Sequence, residues 1–165
     1  MNSMKTASLL ALTLLIGLAS AGMDALADIT EKVTAAFDQE TGTFAEGAYG
    51  TLLEAHNMIG VALEGEITDE IELKTLSAMD CMVMYNLACL EALDGNTDEA
   101  FTWLEGSVDA GYGDPEWMLA DEDLAGLRED ARFGELADAA AENMDEDCSG
   151  PCSSGGPCCG SGECE

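Results

Sequence analysis

Residues 77–94, SAMDCMVMYNLACLEALD, decide the fold class. Cys81, Met84, Tyr85, Ala88, Cys89, Ala92 and Leu93 recur at steps of three and one, which is the stripe of an α-helix. Val83, Leu87 and Leu90 add a second apolar face, so the spacing predicts a helix buried at the centre of a domain. Asp94-Gly95-Asn96 then supplies turn chemistry. Asn96 is expected to cap a following helix, with Glu99 reaching back three residues later. That helix turns Ala100, Phe101, Leu104 and Val108 inward and stops at Gly111.

The same reading extends in both directions. Ile29, Val33 and Phe37 fall at steps of four and predict a modest helix over Asp28 to about Glu40, broken by Thr41-Gly42-Thr43. Phe44, Ala48, Leu52, Ala55, Ile59 and Leu63 trace one face of the next helix, which Gly65 ends. Thr68-Asp69-Glu70 gives a polar, acidic helix start. On the C-terminal side, Asp114-Pro115 opens a short helical turn with proline at its tolerated first position. Asp121 and Asp130 can each cap a further helix, with Leu124 and Leu127 inward on the first and Phe133, Leu136 and Ala140 inward on the second. No stretch shows the alternation of a strand, and the expected class is all-α, built of antiparallel helix pairs.

Residues 82–115 resemble a tetratricopeptide repeat. The likeness rests on Tyr85-Asn86-Leu87-Ala88-Cys89, Gly95, Asp98-Glu99-Ala100 and Leu104. Met84 stands at the tryptophan position of that repeat, Leu87 at the leucine and Ala88 at the small residue; Ala100 and Leu104 take the alanine and phenylalanine positions of its second helix. Glu91 departs from the usual tyrosine, and Pro115 comes late. The stretch with Asp114, Trp117, Asp121, Asp123-Leu124, Leu127-Arg128 and Arg132-Phe133 is similar to the segment closing many bacterial tetratricopeptide proteins. The resemblance implies a right-handed helical array and a protein-interaction scaffold without catalytic residues. One such unit cannot bury its faces alone, so the rest of 28–144 is expected to supply neighbours.

Charge narrows the partners. The 165 residues carry 34 acidic against five basic side chains, a formal net charge of −29. Nucleic acid is excluded by the lack of cations to neutralise phosphates, and an anionic membrane surface is disfavoured likewise. A basic protein surface fits the field, as does plain solubility in a salty medium. The sequence starts with Lys5 ahead of an uncharged apolar run, Ala7 to Gly22, followed by the small-x-small sites Ala19-Ser20-Ala21 and Ala25-Leu26-Ala27. This is the plan of a secretory signal peptide over residues 1–27, with cleavage after Ala27 preferred over Ala21, and it predicts an exported protein, periplasmic or extracellular, with no membrane contact after cleavage. No later segment reads as a span.

Sites for chemistry are few. His56 is the lone histidine and sits beside an apolar stripe, so a boundary role is expected and an enzyme is not. Asp94, Asn96, Asp98, Thr102 and Glu105 match ligand positions of a calcium loop, but Glu99 occupies the position that needs glycine, and a turn with a helix cap explains the same residues. The acidic tail, residues 145–165, holds Cys148, Cys152, Cys158, Cys159 and Cys164 among Gly, Ser and Pro and is expected to be flexible unless bridged or metal-bound. Disulfides or redox-active thiols are favoured there by the oxidising compartment. A thiolate site for zinc or copper is the alternative, which would make the tail the working part of a metal-binding or thiol-redox protein. Cys81 and Cys89 are about 12 Å apart along one helix, too far to bond each other, and read as small buried hydrophobes. Seven cysteines cannot all pair within one chain, which leaves a disulfide-linked dimer open.

Overall fold

The structure, a computed structural model, describes residues 23–65 and 69–147. These form α1 (Met23–Ala35), α2 (Ala48–Leu63), α3 (Glu70–Asp94), α4 (Thr97–Asp109), α5 (Pro115–Ala120), a 3-10 helix (Glu122–Leu127) and α6 (Ala131–Asp147). The class is all-α; the one departure among the described residues is an isolated bridge between Phe37 and Phe44.

The centre is α3, as its two apolar faces require. Leu76, Met79, Val83 and Leu87 pack with Ile29, Val33, Leu52, Ala55 and Ile59 of α1 and α2. Tyr85, Ala88 and Cys89 pack with Phe101, Leu104, Met118, Leu124, Leu127 and Phe133 from the C-terminal elements. Helix α3 is long and apolar enough to cross a membrane by length and composition, yet half of its apolar window is buried inside the protein, as a core helix demands. Leu93, read from spacing as inward, is instead 56% exposed, because the stripe runs past the last turn that α4 covers.

Asp69 sets the start of α3 by accepting the N–H groups of Ile71 (2.8 Å) and Glu72 (3.0 Å). Its end is a Schellman turn. Gly95 takes φ +81°, its N–H reaches Ala92 O, and the N–H of Asn96 reaches Glu91 O. The end of α4 repeats the device with Gly111 at φ +103° and Tyr112 N–H on Ser107 O. Where α3 and α4 cross, Ser107 Oγ donates to Cys81 O at 2.7 Å, satisfying a buried hydroxyl.

Three further expectations change. Helix α1 ends at Ala35 rather than near Glu40, because residues 36–45 fold back on themselves: Ala45 N–H reaches Ala36 O, Asp38 N–H reaches Thr43 O, and the Phe37 and Phe44 rings stack at 5.3 Å. The Asp38 carboxylate holds this loop by accepting Glu40 N–H, Thr41 N–H and the Thr41 hydroxyl. Phe44 therefore precedes α2 rather than lying on it. Asn96 makes no side-chain cap; the Schellman turn swings it back so that its amide donates to Glu91 Oε2 at 2.7 Å.

The C-terminal segment is clamped by polar side chains. Asp121 caps the 3-10 helix through Asp123 N–H and accepts the Tyr85 hydroxyl at 3.0 Å, while its carbonyl accepts Arg128. Tyr112 stacks on Tyr85 with ring centroids 4.6 Å apart. Arg132 pairs with Asp98 and Asp130 and lies 4.0 Å over the Phe101 ring, tying α6 to α4. Asn143 donates to the carbonyls of Val108 and Tyr112, tying α6 to the end of α4, where Val108 O also accepts Gly111 N–H.

Candidate binding groove

Helices α2, α3 and α4 meet at Trp103, which is half-buried and packs against both hydrophobic clusters. Around it the three helices bring aromatic and acidic side chains together. On α2, Tyr49 and His56 lie seven residues apart, two turns along one face. On α3, Asp80 and Glu91 lie eleven residues apart, about three turns or about 16 Å, again on one face. Glu99 and Trp103 sit one turn apart on α4.

His56 Nδ1 meets Asp80 Oδ1 at 2.7 Å, and the imidazole packs edge-on against Trp103 at 5.4 Å. An ionised carboxylate can only accept, so in this contact His56 Nδ1–H donates to Asp80. The adjacent hydroxyl and thiol are engaged elsewhere, Cys81 Sγ with Ala78 O and Ser107 Oγ with Cys81 O. The His56–Asp80 pair thus lacks an aimed nucleophile from either neighbour.

At the other end, Glu91 is only 9% exposed, and Asn96 donates to it. Tyr49, 36% exposed, points its phenol towards Glu91 and Trp103. Burial raises the Tyr49 pKa first, the hydrogen bond with Glu91 and the charges of Glu91 and Glu99 raise it further, and the Trp103 indole opposes them. The result is a seam with Tyr49, His56 and Trp103 as aromatic surface and Asp80, Glu91 and Glu99 as carboxylates. Such a lining accepts cations by charge and over ring faces.

The surrounding charge favours the same ligand. Each described Lys and Arg already has an acidic partner: Lys32 with Glu54, Lys74 with Glu70, Arg128 with Glu122, and Arg132 with Asp98 and Asp130. The acidic excess is therefore left to solvent or to a partner.

His56 does lie at the boundary, part-buried, and Glu91, noted as a departure from the repeat, is buried and accepts from Asn96. Tyr49, Asp80 and Trp103 are not singled out by any pattern within their own helices; the packing of α2 and α4 on α3 brings them together. In the calcium-like stretch, Asn96 is turned to Glu91, Asp98 is paired with Arg132, and Thr102 donates to Asp98 O. No group of three or more metal-ligating side chains occurs among the described residues. Cys81 and Cys89 are both buried, and burial followed by the Asp80 charge pushes the Cys81 thiol up to about 11. Cys148, Cys152, Cys158, Cys159 and Cys164 lie outside the described residues.

Comparison with protein-family models, curated proteins and solved structures returns no match to this chain.

Proposed function

We propose that the protein is an exported, non-catalytic interaction module of tetratricopeptide-like design that binds a basic segment of a protein partner along the α2–α3–α4 groove. The observation that carries this reading is the placement of Tyr49, His56 and Trp103 beside Asp80, Glu91 and Glu99 in a chain of net charge −29. Lysine or arginine side chains of the partner would lie over the rings and pair with the carboxylates. The test is calorimetric titration of the mature protein with a Lys/Arg-rich peptide and with an acidic peptide of equal length. Saturable binding of the basic peptide, weakened at least tenfold by Trp103→Ala and kept on deletion of 145–165, is expected. Equal affinity of wild type and Trp103→Ala would reject the groove.

A second reading concerns the tail. Its five cysteines stand within the last 18 residues, while Cys81 and Cys89 are buried in α3 and removed from exchange with them. Here the tail would bind zinc or copper or carry thiol-redox chemistry, with the helical domain as its carrier. Intact mass with an elemental scan discriminates: bound metal with free thiols favours this reading, and metal-free protein lighter by two hydrogens per bridge favours a disulfide-closed tail.

A further inference from the structure

We infer that His56 makes the groove pH-sensitive, so that a basic segment is held near neutral pH and released as the imidazole gains a proton. The inference rests on the groove reading proposed above and adds to it the condition under which the partner leaves.

His56 is the one histidine of the chain. Histidine is the side chain whose ordinary titration falls between about pH 5 and 8, whereas carboxylates ordinarily ionise below that range. The geometry ties this proton to the seam. The imidazole bonds Asp80 at 2.7 Å and lies edge-on to Trp103 at 5.4 Å, with 28% of its side chain open to solvent and 16% of that of Asp80. The ring can therefore exchange its proton with water while the helices stay packed.

The neighbouring charges fix the sign. Asp80, from α3, is the carboxylate in contact with the ring, and Glu91 lies about three turns further along that helix. Cys81, beside Asp80, is held as the thiol, since burial and then the Asp80 charge push it up to about 11. From α4 the ring meets the uncharged Trp103, with Glu99 one turn earlier. On α2 itself, Glu54 is paired with Lys32 of α1, and Tyr49 stands two turns away with its phenol raised by burial. Beside a neutral imidazole, the Asp80 charge is left for a Lys or Arg side chain lying over Trp103. Beside an imidazolium that charge is already answered within the protein, and the ring repels a second cation. Protonation thus weakens binding of a basic segment, and by linkage a bound basic segment opposes protonation of His56.

A lone histidine gives one set of imidazole signals, so proton NMR reads its charge directly. The titration is run on the free protein and with a saturating Arg-rich peptide, whose own charge is constant in this range. The peptide is expected to move the imidazole titration to lower pH. Calorimetric affinity is expected to fall about threefold to fivefold from about pH 7.5 to about pH 5.5, the worth of a partly exposed ion pair. In His56→Gln the affinity, whatever its value, is expected to stay level across that range. An imidazole titration unchanged by the peptide, or a pH dependence retained in His56→Gln, overturns the inference while the groove stands. An Arg-rich peptide that fails to bind the wild type at about pH 7.5 overturns the groove reading, and the inference with it.

Discussion

Asp121 shows how much one carboxylate can organise. It caps the 3-10 helix, accepts the buried Tyr85 hydroxyl and lies 3.8 Å from Cys89 Sγ, so the 3-10 helix and α3 both lean on one side chain. Burial, first of all, keeps the Tyr85 phenol well above its ordinary value, and the Asp121 charge acts in the same direction. Tyr85→Phe removes one donor to a group that keeps other partners, so a loss of about 1 kcal/mol in urea unfolding is expected. Phe101→Ala removes a ring that is 1% exposed and also the face under Arg132, and a loss of about 3–5 kcal/mol is expected in the same assay. The thiols give a chemical check. With Cys81 raised to about 11 and Cys89 1% exposed, neither is expected to react with iodoacetamide at pH 8 in the native protein, and both should react in denaturant.

At the scale of the element, helix α6 carries a pH signature. Its capping residue, Asp130, is held below the ordinary carboxylate range by hydrogen bonds from the Arg132 side chain and then the Arg132 N–H. A folded-state pKa below the unfolded one means that the cap stabilises fully above the unfolded value, about 3.9, and is lost as pH falls through the lower folded value. Asp130→Asn should therefore be less stable than wild type at pH 6, with the gap closing below about pH 4, as followed by thermal melts across pH. Much of this level was legible in sequence. Asp69, Asp114, Asp121 and Asp130 all cap as their positions before apolar-periodic stretches predict, and Gly95 and Gly111 both take positive φ at helix ends. The failures have local causes. Phe37 and Phe44 kept a helical spacing but were claimed by a bridge across a loop that Asp38 organises, and Asn96 was drawn away from capping by a buried carboxylate five residues back. The groove was less legible than the helices. Tyr49, Asp80 and Trp103 are ordinary residues on their own helices and become a site only when α2 and α4 are laid on α3, which periodicity within one helix does not specify.

Across the whole molecule, two hydrophobic clusters share α3 as a common wall, so neither half has an independent core. Urea unfolding is expected to be a single transition, and a core truncation on α3 such as Leu87→Ala should shift it without splitting it. The net charge of −29 opposes compaction at low salt. Raising sodium chloride from 20 to 500 mM, which shortens the screening length from about 20 Å to about 4 Å, is expected to raise the melting temperature and, in the same range, to weaken capture of a basic peptide. Opposite responses of folding and binding to one salt titration distinguish self-repulsion from partner attraction.

The most direct test of the account is the emission of Trp103, isolated by Trp117→Phe, during titration with a Lys/Arg-rich peptide. The account predicts a saturable change in that emission, reversed by salt and lost when Glu91 and Glu99 are both changed to glutamine. It also predicts that the response survives the same change at Glu135 and Glu142 of α6. Binding that leaves Trp103 silent, or that falls equally with either pair of substitutions, would contradict the groove and reduce the interaction to unspecific attraction by an acidic surface.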